Sequence, residues 1–310
     1  MRLVFAAGGG GDVITASVLA QKLGGSVGLL PWERFVVDPV PGPLTRSDFI
    51  GVEGDGALFI IKAGSRALRG GRETVPQGAC VSAVLNREVY AVSPDARPDE
   101  IARALTSRFK KITGVDVGGD ILACGCERDL RSPLADSFSL AVLKMAEDLG
   151  AEVDVAVIGL GADGELDRGY LLERAARVAQ EGGFLGYYAL DPSDIPLLEK
   201  LTESCITEAS KNVLRALKGF YGTVEMRGGA ALAYIDMFTP VALRFKPEAL
   251  LRLNKMARLI YANNWDLFTA SKGLRELGFT TEYDLEILLS KGIKLSDALA
   301  KIKAERACVC

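Results

Sequence analysis

A glycine-rich loop near the N-terminus is the first candidate for binding chemistry. Its residues are Gly8, Gly9, Gly10, Gly11 and Asp12. Because these glycines lack Cβ atoms, their backbone N–H groups can approach a ligand closely, and the helix predicted over 13–23 adds a partial positive charge. Both features suit a phosphate or carboxylate group. The loop has neither the Gly-Lys-Ser/Thr of a Walker A motif nor the full Gly-x-Gly-x-x-Gly spacing, so dinucleotide binding is only weakly indicated. Asp12 suits a ligand contact and a helix cap equally well.

A second turn combines glycine with aspartate in a way that suits a cation. Its residues are Asp116, Val117, Gly118, Gly119 and Asp120. The two aspartates flank the end of a short predicted strand, as in the acidic turns that hold a hydrated Mg²⁺. A tight turn in which aspartate bonds its own backbone is the alternative. Farther along the chain, Arg128 and Arg131 are candidate anion clamps, and a solvated loop of mixed charge is an equal alternative.

A third loop follows the most strand-like run of the chain, 153–159. It contains Gly161, Asp163 and Glu165. A plain turn is again the alternative, but ligands of open α/β sheets bind at the carboxyl ends of the strands, so all three loops are expected to line one cleft. We therefore predict metal ligands and catalytic carboxylates among the acidic residues of the last two loops. The metal ligands are Asp120, Asp163 and Glu165, and the catalytic carboxylates are Asp116, Asp120 and Asp163.

The elements around these loops indicate the fold. Strand and helix signals alternate from Leu3 to Leu190, which predicts right-handed βαβ units and a doubly wound, mainly parallel sheet. From Lys246 onward the pattern is helical. We expect an α/β ligand-binding domain over 1–245 and a helical cap or subdomain over 246–310.

Other segments allow more local predictions. Proline is tolerated in the first turn of a helix, so Pro98 is expected near a helix start. The predicted elements are a hairpin of 80–85 and 88–92, helices over 98–112 and 193–217, and extended segments at 223–226 and 231–235 around Arg227-Gly228-Gly229.

The cysteines do not form a recognisable metal motif. They are Cys80, Cys124, Cys126, Cys205, Cys308 and Cys310. The two Cys-x-Cys pairs match neither zinc nor iron–sulfur spacing, so no zinc site is expected. Free thiols are favoured in a reducing cytosol, and disulfides become plausible if the source is a hyperthermophile.

Composition narrows the class of protein. Hydrophobic residues make up 49% of the 310 residues, charged residues 25%, and the net charge is −3. These values argue against a disordered chain and against a duplex nucleic acid partner. No apolar run is long enough to span a bilayer, and the N-terminus fits a strand better than a signal peptide, so a cytoplasmic protein is expected. The chain contains no histidine, and its scarce Asn and Gln are typical of thermophiles.

Three motifs together resemble an archaeal family of unknown function, the domain-of-unknown-function 1152 (DUF1152) group. The matching pieces are Gly8–Gly11 with Asp12, the turn 116–120 and the loop 161–165. The resemblance extends over most of the chain. It implies a Rossmann-like α/β fold, and it implies no particular activity or catalytic residue.

The leading functional hypothesis is an enzyme that acts on a nucleotide or another phosphorylated small metabolite. Glycine loops would bind the anion, aspartates would bind Mg²⁺, and a carboxylate would carry the proton because histidine is absent. A non-catalytic nucleotide or metabolite sensor is the alternative. A homo-oligomeric scaffold with a vestigial site is a third hypothesis, and the fold class does not choose among them.

Overall fold

The computed structural model describes residues 1–226, 229 and 231–310. Thirteen strands lie within these ranges. They are β1 (Arg2–Ala6), β2 (Ser26–Leu29), β3 (Phe49–Ile50), β4 (Leu58–Ile61), β5 (Arg66–Arg69), β6 (Arg72–Thr74), β7 (Val89–Val92), β8 (Lys111–Val117), β9 (Glu152–Ile158), β10 (Phe184–Ala189), β11 (Gly222–Met226), β12 (Ala231–Ile235) and β13 (Val241–Phe245).

Twelve α-helices accompany these strands in the same described ranges. They are α1 (Val13–Leu23), α2 (Gln77–Leu85), α3 (Pro98–Arg108), α4 (Pro133–Asp148), α5 (Arg168–Gln180), α6 (Ile195–Ser204), α7 (Ala209–Leu217), α8 (Pro247–Leu253), α9 (Lys255–Asn263), α10 (Leu267–Glu276), α11 (Glu282–Ser290) and α12 (Leu295–Glu305). None of these described helices combines the length and apolar character needed to cross a bilayer.

A large, mostly parallel central sheet organises the molecule, as the sequence predicts. Its eight strands have the order β10-β13-β9-β8-β1-β2-β7-β4. The five strands from β9 to β7 run parallel, whereas β13 and β4 run antiparallel to their neighbours. The chain begins at β1 in the middle, moves through β2 to β7 on one side, and returns to β8 and β9 on the other. Loops after β1 and β8 therefore diverge and open a crevice between them.

Apolar cores lie on both faces of this sheet, because neighbouring side chains of a strand point to opposite faces. Leu3 and Phe5 of β1 join one core, and Val4 and Ala6 join the other. The first core is completed largely by α3, α4 and the C-terminal helices α8 to α10, and the second by α1, α2, α6 and α7. The C-terminal segment is helical as expected, and the boundary at 245/246 stays a prediction.

Three local predictions need correction. The hairpin of 80–85 and 88–92 is wrong, because 77–85 forms α2, whose buried Ala79 and Val81 pack into the core. Asn86 adopts a left-handed conformation with φ 51° that ends this helix instead of turning a hairpin. The helix predicted to 112 ends at Arg108, since β8 begins at Lys111. The helix predicted over 193–217 is broken into α6 and α7.

The extended segments at 223–226 and 231–235 are confirmed as the antiparallel pair β11 and β12. The intervening Arg227 and Gly228 lie outside the described residues.

All six cysteines are paired, so the expectation of free thiols is wrong. The disulfides are Cys80–Cys205, Cys124–Cys310 and Cys126–Cys308. Their partners lie 125, 186 and 182 residues apart in sequence. Such pairs are brought together by the tertiary fold, and local spacing carries no sign of them.

Candidate functional site

A pocket opens at the carboxyl ends of β1, β2, β8 and β9, and residues of all three predicted loops line it. Of the predicted site residues, it is lined by Gly8, Gly10, Gly11, Asp12, Asp116, Asp120 and Asp163. The expectation that these loops share one cleft is confirmed. The chemical roles assigned to the residues stay predictions.

Asp12 connects the glycine loop to the end of β8. Its Oδ2 atom accepts hydrogen bonds from the backbone N–H groups of Gly8 at 3.2 Å and Val117 at 3.0 Å. It occupies the N-cap position of α1, but its side chain makes no capping hydrogen bond to the helix. Burial, with Asp116 nearby, raises the pKa of Asp12 well above its usual value.

Asp116 organises the turn that follows β8. Its two carboxylate oxygens accept hydrogen bonds at 3.1 Å from the N–H groups of Gly119 and Ile121. The turn interpretation of this residue is therefore confirmed. It does not exclude a ligand contact, because each carboxylate oxygen keeps a second lone pair. Burial raises the pKa of Asp116 to about 6.

Asp136 is not among the predicted site residues, yet it lines the pocket. It belongs to the first turn of α4 and is 3% exposed. Its Oδ1 atom has no hydrogen-bond partner among the described residues. Carboxylate oxygens of Asp12, Asp116 and Asp136 lie within 4.8 Å of one another, and we call these three residues the aspartate cluster. The Ser132-Pro133 helix start could have drawn attention to Asp136, because it places this carboxylate in the first helical turn.

Gly8 makes room for the aspartate cluster. A Cβ atom on this residue would lie 2.5 Å from Asp12 Oδ2 and 3.2 Å from Asp136 Oδ2. Gly10 is similarly enclosed, since its Cβ would lie 2.9 Å from the Trp32 carbonyl oxygen and 3.3 Å from the Glu33 carboxylate. At both positions the space of the missing side chain is taken up by groups of the protein itself, namely carboxylates and the Trp32 carbonyl, and not left open for a ligand.

Asp120, Asp163 and Glu165 form a second group, which we call the mixed cluster. Their carboxylate oxygens also lie within 4.8 Å of one another. The Ser132 hydroxyl lies 2.7 Å from Glu165 Oε1 and 3.2 Å from Asp120 Oδ2. Burial raises the pKa of Asp120 well above its usual value, with further contributions from Glu165 and Asp163.

Gly118 leaves room for Asp163 of the mixed cluster. It has φ 139°, and a Cβ atom there would lie 2.6 Å from Cγ of Asp163. Any larger residue would therefore be strained and would displace Asp163.

Three buried glutamates that the sequence did not single out also line the pocket. Glu282 of α11 accepts hydrogen bonds from the N–H groups of Leu134 and Ala135, and burial raises its pKa to about 8. Glu286 accepts from Trp32 Nε1 and has a pKa raised by burial to about 7.

The third glutamate, Glu33, is 3% exposed. Its Oε1 atom accepts a hydrogen bond from the Gln77 N–H group at 2.8 Å, whereas Oε2 has no partner among the described residues. Burial raises the pKa of Glu33 to about 7. No sequence signal marked these glutamates, because the loop 31–45 and α11 reach the pocket only through tertiary packing.

The remaining predicted residues lie outside the pocket lining. Gly9, Gly118, Gly119, Gly161 and Glu165 belong to the supporting turns. Arg128 is exposed, and neither it nor Arg131 lines the pocket. Their assignment as anion clamps stays a prediction that this geometry does not support. The backbone N–H of Arg131 instead donates to Glu165 at 2.6 Å.

The charge of the pocket is strongly one-sided. Nine carboxyl side chains line it, and the basic residue among its described lining is Arg34, which pairs with Glu208 at 3.2 Å. Burial is the main cause of the raised pKa values of these carboxyl groups, and the nearby like charges disfavour ionisation further. A bare phosphate would be repelled here, whereas divalent cations would neutralise the carboxylates and attract one.

The comparisons with known proteins identify a family. No curated protein and no solved structure matches the chain. A family model described as protein of unknown function (DUF1152) matches residues 3–290, which is most of the 310 residues. The chain therefore belongs to the DUF1152 family.

Proposed function

We propose that the chain is a divalent-cation-dependent enzyme that acts on a phosphorylated small metabolite or a nucleotide. The observation that carries this proposal is the pocket in which nine carboxyl side chains face a single lining arginine among the described residues. Desolvating a charge costs several kcal/mol even after the protein relaxes, so this arrangement needs compensation. Carboxylate oxygens are the ligands preferred by Mg²⁺ and Mn²⁺.

The donor set fits a hard divalent cation. Both clusters consist of carboxylates, and Glu33 Oε2 lies buried at the pocket without a partner among the described residues. Asp120, Asp163 and Glu165 are the residues that would hold the cation. When bound, it would polarise a phosphoryl oxygen or lower the pKa of a water molecule.

The chain's own residues would bind the substrate and move the proton. Gly11, which lines the pocket just before α1, supports anion binding at this helix start once the carboxylates are neutralised. The N–H group of Gly10 already donates to the Trp32 carbonyl oxygen at 2.9 Å. A general base works best when its pKa lies near the working pH. Glu33, with a pKa raised to about 7 and one oxygen without a described partner, is the carboxylate that suits this role best.

We further propose that the fold is a Rossmann-like, doubly wound arrangement. The strand order β7-β2-β1-β8-β9, with the chain starting at β1 and moving to each side in turn, supports this assignment. In such folds the ligand lies where the strand order reverses, which corresponds here to the crevice between the loops after β1 and β8.

A non-catalytic sensor of nucleotides or metabolites is the second candidate. The observation that favours it is the extensive use of the carboxylates within the fold. Asp12, Asp116, Glu282 and Glu286 all accept backbone hydrogen bonds. A pocket whose acidic groups serve mainly to hold its walls could bind a ligand without transforming it.

The experiment is a screen of nucleotides and sugar phosphates for release of inorganic phosphate, with Mg²⁺ or with EDTA. We expect turnover that requires Mg²⁺ and falls about 100-fold or more in Asp120→Asn. Asp55→Asn is the matched control, since Asp55 is exposed and lies outside the pocket lining. Turnover that stays at the level of the wild type in Mg²⁺ both when EDTA is added and in Asp120→Asn would contradict the proposal. A cation-dependent rise in Tm with a ligand, without turnover, would favour the sensor.

A further inference from the structure

The carboxylate of Asp136 is buried without the partners that such a group normally has. Only 3% of the residue is exposed, and Oδ1 has no hydrogen-bond partner among the described residues. Buried polar atoms are hydrogen-bonded in the great majority of cases, and each exception needs an explanation. The charged neighbours of this carboxyl group include Asp12, Asp116 and Glu282, all acidic, so a ligand that carries positive charge would account for the missing partner.

The neighbours of Asp136 provide further oxygens for such a ligand. Oxygens of Asp12 and Asp116 lie within 4.8 Å of an Asp136 oxygen, and all three residues are buried. The backbone hydrogen bonds to Asp12 and Asp116 fix their side chains in place. Three carboxylate oxygens held in this way resemble the protein part of a coordination sphere that water or substrate completes.

The surrounding backbone leaves space for this cluster. The Cβ atom that Gly8 lacks would lie 2.5 Å from Asp12 Oδ2 and 3.2 Å from Asp136 Oδ2. Gly8 has an ordinary backbone conformation, since its φ is not among the positive values. The absence of a side chain at this position is therefore explained by the close approach of the two carboxylates and not by a turn.

We propose that the aspartate cluster is a second divalent-cation site, separate from the predicted site in the mixed cluster. The two sites share no ligand, because one uses Asp12, Asp116 and Asp136 and the other uses the residues of the mixed cluster. This inference rests on the proposed function, since both require a cation-binding pocket. Two cations in one pocket would stabilise the attacking and the leaving oxygens of a phosphoryl group together, so the second site favours phosphoryl transfer or phosphate-ester hydrolysis as the class of reaction.

The test counts Mn²⁺ ions on the full chain after removal of metals by a chelator. Equilibrium dialysis and calorimetry are expected to show two Mn²⁺ per wild-type chain. In Asp136→Asn one ion is lost or binds at least about 10-fold more weakly, and in Asp120→Asn the other is lost. Asp55→Asn retains both ions. Circular dichroism checks folding, and Asp136→Ser is the second variant if Asp136→Asn does not fold.

The outcomes separate this inference from the proposed function. One Mn²⁺ per wild-type chain that is lost in Asp120→Asn and retained in Asp136→Asn would overturn the second site and leave the proposed function standing. Two ions that are both retained in the folded Asp136 variant would also overturn it. No bound Mn²⁺ in the wild type would overturn both proposals. Two ions, with one lost in each variant, would establish the second site.

Discussion

Two buried aspartates near opposite ends of the central sheet differ in their hydrogen-bond partners. Asp154, near the start of β9, is 8% exposed and accepts hydrogen bonds from Thr113 and Arg244 at 2.7 Å and from Tyr188 at 3.1 Å. Asp136 is 3% exposed, and its Oδ1 has no partner among the described residues. The protein itself supplies the hydrogen-bond partners of Asp154, whereas for Asp136 we propose a bound cation.

The difference separates structural from functional burial of charge. A buried charge with a structural role is paired, because the desolvation penalty of an unpaired buried charge strongly destabilises the folded state. In a functional site, buried charges can stay without partners until the ligand binds. The stability of the rest of the fold then has to offset their unfavourable free energy. We therefore expect Asp154 to stabilise the sheet, and Asp136 and the carboxylates around it to destabilise the protein when no cation is bound.

The largest expected effect is on the pH dependence of stability. Burial raises the pKa of Glu282 to about 8, of Glu33 and Glu286 to about 7, and of Asp116 to about 6. An acid whose pKa is raised by folding favours the folded state when protonated, and this contribution is lost as the pH rises through the folded-state pKa. In EDTA, the free energy of unfolding should fall by about 3 kcal/mol or more from pH 5 to pH 8.

Urea unfolding at a series of pH values measures this slope. Saturating Mg²⁺ should flatten or reverse it, because the cation binds the deprotonated carboxylates. Asp136→Asn should reduce the slope and Asp154→Asn should leave it unchanged. Stability in EDTA that rises over the same pH interval would contradict the account of the pocket.

The next effect concerns the two disulfides that hold the C-terminal tail against the loop 124–126. That loop leads to Ser132, which lies within hydrogen-bond distance of Asp120 and Glu165. Replacing Cys308 and Cys310 by serine should lower the free energy of unfolding by about 2 to 4 kcal/mol.

Hydrogen exchange locates the consequence of that change. Faster exchange is expected in 123–132 and at the start of α4, with little change around Asp154. The Cys80→Ser, Cys205→Ser double variant is the matched control, because it removes a disulfide from another part of the molecule. Equally faster hydrogen exchange in 123–132 and around Asp154 would show that the C-terminal tail does not stabilise the pocket in particular.

Asp154→Asn should destabilise the protein without affecting cation binding. The substitution removes the charged partner of Arg244 and should cost about 2 to 3 kcal/mol. Thermal and urea unfolding measure the loss, and Mn²⁺ affinity should stay within a factor of two. Asp136→Asn is the counterpart, which should be at least as stable as the wild type in EDTA. If Asp136→Asn lost as much stability as Asp154→Asn, the proposed distinction between a structural Asp154 and a ligand-binding Asp136 would be wrong.

The smallest expected effect is that of Gly8→Ala. The added methyl group would press against Asp12 Oδ2 and Asp136 Oδ2, so Mn²⁺ should bind about 10-fold more weakly, or about 1.4 kcal/mol. Gly64→Ala is the control, since nothing lies within 4 Å of a Cβ there and its φ is not positive. Equal Mn²⁺ affinities in the two variants would mean that Gly8 serves only the backbone.

The parts of the fold and site that local patterns encode were predictable from the sequence. The strand and glycine-loop alternation located β1, β9, the end of β8 and the three loops that meet in the pocket. What packing decides was not predictable. Burial of Ala79 and Val81 overrides the strand-like composition of α2. Glu282 joins the pocket from 146 residues beyond Asp136, a distance at which no spacing rule applies.

The cysteine pairing could not be predicted from the sequence either, because the partners of each disulfide are far apart in the chain. The cytoplasmic location and the thermophilic source both stay predictions. Three disulfides in an intracellular protein would be typical of a hyperthermophile. The oligomeric state also stays a prediction.

Thermal unfolding of the wild-type chain in EDTA and in saturating Mn²⁺ tests the central claim most directly, namely that the acidic pocket is completed by divalent cations. A ligand present at 100 times its Kd adds about 2.7 kcal/mol of stability, which corresponds to a rise in Tm of about 5 °C for a chain of this size. We predict a rise of at least this size at pH 7.5 that is absent from the Asp120→Asn, Asp136→Asn double variant. An unchanged Tm in the wild type, or an equal rise in the double variant, would contradict the claim.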